Sequence, residues 1–304
     1  MSSFRRKPKS SKFNYFWMPD QIRHDGFGTF CDAIKVKSVK PMTKIITQIY
    51  EVQTPSEAEK LISLGVDHIG SVIVSKESWK TPLIRETIRL IDSAEARSSL
   101  IPLFSDLDAI LLTLDYYKPD IVHFCEALSL QKNSCEIYEK LILLQRKVKE
   151  RFPEIKIMRS IPIFQPGMTE HPDAIELAKL FEPVSDYFLT DTILVKESGS
   201  CFDQQPVKGF VGITGRTCDW DVAAKLVASS HIPVILAGGI APENVFDGIM
   251  HVLPAGVDSC TGTNAMDSKG RSIRFKKDFG KVKRFVDETR RAERSCNLCM
   301  KAAI

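Results

Sequence analysis

Residues 233–245 read PVILAGGIAPENV. Val234, Ile235 and Leu236 form a short run of branched apolar side chains, the composition of a parallel strand covered on both faces. Gly238 and Gly239 end the run. With no Cβ, two glycines let the backbone turn sharply and let a ligand approach main-chain N–H groups. Pro242 and Glu243 then suit the first turn of a helix. Strand, glycine turn and helix N-terminus together are the arrangement that cradles a phosphate. The same residues also suit an ordinary tight turn between strand and helix.

This punctuation recurs along the chain. Apolar runs lie at 44–50, 68–74, 99–104, 119–124, 155–163, 187–191, 233–237 and 256–260, and amphipathic stretches such as 55–64, 132–151, 171–182, 217–229 and 278–292 lie between them. Such alternation yields a parallel sheet. Eight strand and helix pairs in roughly 250 residues are the count of a single (β/α)8 TIM barrel, in which sites gather at the C-terminal ends of the strands. A doubly wound open sheet is the competing α/β fold. It usually carries a glycine fingerprint after its first strand, and IYEVQTPSE at 49–57 has none.

Composition narrows the function classes. The 304 residues are 43% hydrophobic and 26% charged, and no run of about 18 apolar residues is present to span a bilayer, so no membrane role is expected. The net charge of +4 is unevenly placed: residues 1–41 carry nine Lys or Arg against three Asp, leaving 33 basic and 35 acidic residues for the rest. A nucleic-acid domain gathers its charge on one face of the fold, so no nucleic-acid partner is expected. Of the eight cysteines, only Cys296 and Cys299 form a close pair, and no second pair or nearby His completes a zinc set. Neither metal nor cofactor is expected, and the thiols read as those of a reduced, cytoplasmic protein.

The domain reading has three parts. Residues 1–41 are an unstructured basic head that mixes charge with Phe, Tyr and Trp. A basic arm, an organelle presequence and sequence upstream of the native start compete there. WMPDQIRHDGFG at 17–28 resembles translated intergenic repeats of bacterial genomes, which favours the last, with Met42 as the natural start. The barrel occupies 42–293, and 294–304 read as a frayed tail.

Within the barrel, the polar residues that close the strands are Tyr50, Glu51, Ser75, Lys76, Asp106, Cys125, Glu126, Ser160 or Gln165, Asp191, Gly238 and Thr261. Several pieces then resemble the phosphoribosylanthranilate isomerase family of tryptophan biosynthesis. They are SLGVDHIGSVIV (63–74), FLTDT (188–192), TGRTCDW (214–220), LAGGIAPENV (236–245) and GVDSCTGTNA (256–265), followed by RFKKDFGKVKRFV (274–286). The resemblance implies an Amadori rearrangement, in which a ribosyl amine opens its ring, becomes an enol and then a ketose. One group must protonate the ring oxygen and another must take the proton from the adjacent carbon. By resemblance Asp191 is the acid, Gly238, Gly239, Thr261, Gly262 and Thr263 hold the substrate phosphate, and Gly215 and Arg216 form a substrate loop.

The chain departs from the family in two places. Where the family has Lys-Ile-Cys-Gly, this chain has Gln48-Ile49-Tyr50-Glu51, so a phenol stands at the position of the base. Cys125 lies where the family usually has a His in strand four, and a thiolate there is a second way to deprotonate carbon. The Arg expected after strand two is absent, Trp79 lies near its place, and Lys76 or Lys80 is a less directional substitute. Three functions therefore stand: the family's isomerase with a relocated base, a barrel acting on another phosphorylated substrate, and a catalytically silent phosphometabolite-binding protein. In each the partner is a phosphorylated small molecule. Oligomeric state is not legible from the sequence.

Overall fold

The computed structural model describes residues 44–128, 135–168, 173–194 and 206–302, and the head at 1–41 lies outside them. Eight parallel strands close into a barrel in chain order: β1 (Ile46–Ile49), β2 (His68–Ile73), β3 (Arg97–Pro102), β4 (Ile121–Phe124), β5 (Lys156–Ile163), β6 (Tyr187–Thr192), β7 (Val234–Leu236) and β8 (Gly256–Ser259). Each falls on one of the expected apolar runs. β8 pairs with β1 to complete the ring, and that register sets Asp258 beside Gln48.

Around the barrel lie α1 (Pro55–Ser63), α2 (Pro82–Asp92), α3 (Leu107–Tyr117), α4 (Cys135–Arg151), α5 (Ala174–Phe181), α6 (Trp220–Ser229), α7 (Val245–Val252) and α8 (Phe279–Ala302). Their starts are chemical. Thr54, Asp106, Asp173 and Asp219 each accept a hydrogen bond from a first-turn N–H, which satisfies donors that the helix itself leaves unpaired. Two boundaries differ from expectation. Helix α7 begins at Val245, not at Pro242, because Asn244 accepts from the Ala241 N–H at 2.8 Å and donates to the Gly239 carbonyl at 3.0 Å, folding residues 241–244 into a turn. Of the expected frayed tail, residues 294–302 lie in α8, and the buried Cys296 thiol meets the Met250 thioether at 3.5 Å.

Apolar side chains pack in two shells, one between strands and helices and one inside the barrel. The inner shell holds Val72, Ile101, Met158, Leu189 and Ile235 together with Tyr50 and Cys125. A β strand alternates its faces, so β5 sends Met158 inward and Arg159 outward. Arg159 is fully buried between Phe124 and Phe181, where it donates to Gln145 at 2.7 Å and pairs with Glu126 at 2.5 Å.

The barrel's seam is latched at its N-terminal end. Asp67 accepts from the Thr47 N–H (2.8 Å), the Thr47 hydroxyl (2.8 Å) and Arg290 of α8 (2.7 Å), and also pairs with Lys44. Burial opposes the charge on Asp67, but Lys44, Thr47 and Arg290 outweigh it and hold the carboxyl below its ordinary value of 3.8. Asp67→Asn should cost about 2 kcal/mol at pH 7, the scale of a charged hydrogen-bond set. A depressed native pKa gives stability that is present above the unfolded value and lost as pH falls through the native one. Urea unfolding should therefore show the gap between wild type and variant closing below about pH 4; a gap that stays constant with pH refutes the latch.

Candidate active site

The C-terminal ends of the strands open into a cleft with two limbs. The larger, of about 540 Å³, has apolar walls that include Val72, Ile101, Leu103, Leu189 and Phe210. The smaller, of about 330 Å³, is bounded by Gly215, Gly238, Gly239, Thr261 and their neighbours. Asp191, Ile213, Asp258 and Cys260 line both limbs, so two carboxyl groups stand where the limbs meet. The segment after β6 roofs the larger limb: Val211 donates to the Cys125 carbonyl at 2.8 Å and Ala127 donates to the Gly209 carbonyl at 2.9 Å.

The smaller limb is built as the glycine run foretells. Gly238 (φ 81°) and Gly239 (φ 66°) both take left-handed backbone, and a Cβ on Gly239 would come within 2.5 Å of the Arg216 backbone. Only bare backbone lets β7 turn that closely against residues 216 and 217. Thr261–Thr263 form a single 3-10 turn, of which Thr261 lines the limb; Gly262 and Thr263, expected there from the sequence, do not line it, and the buried Thr263 hydroxyl donates to the Cys260 carbonyl at 3.1 Å. Gly215 lines the limb, while the Arg216 side chain is exposed and its carbonyl accepts from the Thr192 hydroxyl at 2.6 Å.

Asp191 closes β6. Its Oδ1 accepts from the Thr192 N–H at 2.8 Å, and dense protein around it raises its carboxyl to about 7 against that hydrogen bond. Asp258, on β8, is likewise raised to about 7, by burial first and by the charge of Asp191, with Gln48 and Lys277 opposing. Gln48 donates to Asp258 Oδ1 at 3.1 Å and accepts at its own Oε1 from His68 Nδ1, also at 3.1 Å. Burial brings His68 down to about 4, so its ring is neutral.

Tyr50 and Cys125 both line the larger limb. The Tyr50 hydroxyl lies 2.6 Å from Ser99 Oγ and 2.9 Å from His123 Nδ1, and His123 Nε2 lies 2.8 Å from Ser160 Oγ. Burial pushes the Tyr50 phenol well above its ordinary value, and burial with Glu126 and Asp191 does the same to the Cys125 thiol. Burial thus favours the protonated form of both groups, which works against the Cys125 thiolate considered from the sequence. His123, brought down to about 3 by burial and Arg159, is neutral.

Other strand-closing residues go elsewhere. Lys76 pairs with Asp106 at 3.0 Å, and Trp79 and Lys80 pack on Tyr116; none of these four lines either limb. Glu51, in left-handed backbone (φ 63°), accepts from Asn264 at 3.0 Å and Arg274 at 2.5 Å. Burial works against its charge, but Asn264 and Arg274 prevail and hold its carboxyl below the usual range. Asn264 belongs to β9 (Asn264–Met266) and Arg274 to β10 (Ser272–Lys277), an antiparallel hairpin beyond β8. Sequence reasoning missed Asp258, His123 and Gln48. Each sits inside an apolar run, and a polar residue within such a run is the signal that could have drawn attention to it.

Comparison with known proteins points to one family. A family model described as N-(5'phosphoribosyl)anthranilate (PRA) isomerase matches residues 165–288. The N-(5'-phosphoribosyl)anthranilate isomerase of Methanothrix thermoacetophila is 30% identical over 242 residues, 79% of this chain and 93% of that protein. That of Methanosarcina acetivorans is 26% identical over 255 residues, 83% of this chain and 96% of that protein. Among solved structures, phosphoribosyl anthranilate isomerase from Thermotoga maritima superposes with a TM-score of 0.57 at 20% identity, covering 81% of this chain and 98% of that one. Another, with a TM-score of 0.55 at 18% identity and 81% and 98% coverage, holds reduced 1-(o-carboxyphenylamino)-1-deoxyribulose 5-phosphate.

Proposed function

The chain belongs to the N-(5'-phosphoribosyl)anthranilate isomerase family and is an isomerase of that kind, and from this premise we propose that Asp191 is its general acid and that the smaller limb takes the substrate phosphate. The observation that carries the reading is Asp191 itself. It is a carboxyl raised to about 7 at the point shared by both limbs, where a proton can be delivered to a ring oxygen near neutral pH. The left-handed Gly238–Gly239 turn supports the phosphate assignment. With the phosphate in that limb, the amine substituent extends into the apolar limb. Cys125, Cys218 and Cys260 are free thiols, and no helix among the described residues is long and apolar enough to cross a membrane. The free thiols favour a reducing, cytoplasmic setting.

One observation favours a second reading of the substrate. Among the described residues lining the larger limb there is no Lys or Arg, while Glu51, Asp191 and Asp258 are acidic. A ring without a carboxylate meets less opposition there than anthranilate does. Fluorescence assays with freshly prepared N-(5'-phosphoribosyl)anthranilate and with the corresponding aniline compound should both show turnover, with the higher kcat/KM for aniline on the second reading and for anthranilate on the first. No turnover of either refutes the isomerase assignment.

A further inference from the structure

The isomerase chemistry requires a base, and the group at the family's position for it is a buried, protonated phenol. We propose that Asp258 is the general base, working opposite Asp191 as acid; the inference rests on the functional reading above and adds the missing half of its chemistry.

Position comes first. An N-(5'-phosphoribosyl) amine carries its phosphate at C5 and its amine at C1, so with the phosphate among the glycines and the amine substituent in the apolar limb, C1 and C2 lie where the limbs meet. Asp191 and Asp258 are the carboxyl groups lining both limbs. They reach that point from β6 and β8, with β7 between them.

Orientation comes second. Gln48 Oε1 can only accept, so the His68 contact requires a proton on His68 Nδ1, and this turns the Gln48 amide nitrogen toward Asp258 Oδ1. Among the described residues no hydrogen-bond donor reaches Asp258 Oδ2, which leaves its lone pairs for a substrate proton. Gln48 and His68 are positioning residues, since they act on the substrate only through Asp258.

The other polar groups of the larger limb are committed. Tyr50 is held between Ser99 and His123, and His123 has both ring nitrogens occupied. Glu51 is taken by Arg274 and Asn264. The Cys125 thiol is protonated. Two carboxyls lining one junction do not easily both ionise, and the charge of Asp191 opposes that of Asp258, so the pair presents one acid and one base near neutrality.

The steps balance. Asp191 gives its proton to the ring oxygen as the C1–O bond breaks and the nitrogen lone pair closes a C1=N bond. The Asp258 carboxylate takes the proton from C2, and the C2–H electron pair forms C1=C2 while the C1=N pair returns to nitrogen. The aminoenol then receives the Asp258 proton at C1 and gives its 2-hydroxyl proton to Asp191. The ketose forms, and both residues are reset with no other reactant.

The test uses the full chain with N-(5'-phosphoribosyl)anthranilate, unlabelled or deuterated at C2. Asp258→Asn should lower kcat more than 100-fold, change KM less than threefold and abolish the acid limb of the kcat–pH profile, while wild type shows that limb and a primary isotope effect. Asp258→Glu keeps a displaced carboxylate, so it should retain the acid limb with reduced kcat and a larger isotope effect; it decides the matter if Asp258→Asn does not fold. An Asp258→Asn protein that keeps a tenth of wild-type turnover or an unchanged acid limb overturns the proposal, as does an Asp258→Glu protein indistinguishable from wild type. A wild-type chain that turns over neither the anthranilate nor the aniline compound fails at the earlier step, the isomerase reading, and takes the proposal with it.

Discussion

Asp191→Asn should lower kcat by about 10⁴, the upper end of what a positioned proton donor contributes. An amide has the shape of the acid and can still accept from the Thr192 N–H, which holds the present side chain at 2.8 Å, but it has no proton to give to a departing ring oxygen. With the carboxyl raised to about 7, wild-type turnover should fall as pH rises above neutrality, and the variant should lose this alkaline limb. Stability should move the other way. A carboxyl whose native value is raised holds its proton in the folded state between the unfolded and folded values, and above the folded value the native state must bury a charge. Asp191→Asn should therefore melt no lower than wild type at pH 8. Turnover within tenfold of wild type, or an intact alkaline limb, removes Asp191 as the acid.

Gly70→Ala should cost about 3 kcal/mol, the upper end of ordinary overpacking. A Cβ at position 70 would lie 2.0 Å from Tyr50 Cδ1 and 2.1 Å from Cε1. The ring cannot swing clear without giving up Ser99 and His123, which hold its hydroxyl at 2.6 and 2.9 Å. In a Tyr50→Cys background the three ring atoms nearest that methyl are gone, so most of the cost should vanish. The expected coupling is about 2 kcal/mol, near the top of the range for residues in contact. Urea unfolding of the four proteins measures it, and strictly additive effects would show that Gly70 serves some purpose other than making room for Tyr50.

The fold was legible because a parallel barrel writes its strands as apolar runs and its helix starts as Thr or Asp followed by amphipathic residues. Phe188–Thr192 and Val234–Gly239 announced a strand and the turn or polar residue that closes it. The site was legible at the strand ends, where Asp191, Gly238 and Gly239 lie in sequence beside the elements that aim them. Asp258 was hidden because it lies within β8, and its meaning depends on the register that sets it beside Gln48, some 210 positions away in the chain. Cys125 was visible for the opposite reason, since it closes a strand beside Glu126 in the chain, but the burial that raises its thiol and the charge of Asp191 come from elements distant in sequence.

Glu51 couples the end of the first strand to the hairpin beyond the last. A side chain in left-handed backbone costs on the order of 1–3 kcal/mol where glycine pays almost nothing, and glycine is what the related motif has there. Here the carboxylate is answered by Arg274, Asn264 and the Phe275 N–H, all supplied by the β9–β10 hairpin. Without those partners the strain would come with a buried charge left unanswered. A return to glycine at position 51 would relieve the backbone and leave Arg274 without its carboxylate partner. Tyr50 is bound by the same logic to a glycine at position 70. Tyr50 and Glu51 are thus each tied to residues on other elements, so that changing either alone disturbs a partner across the barrel.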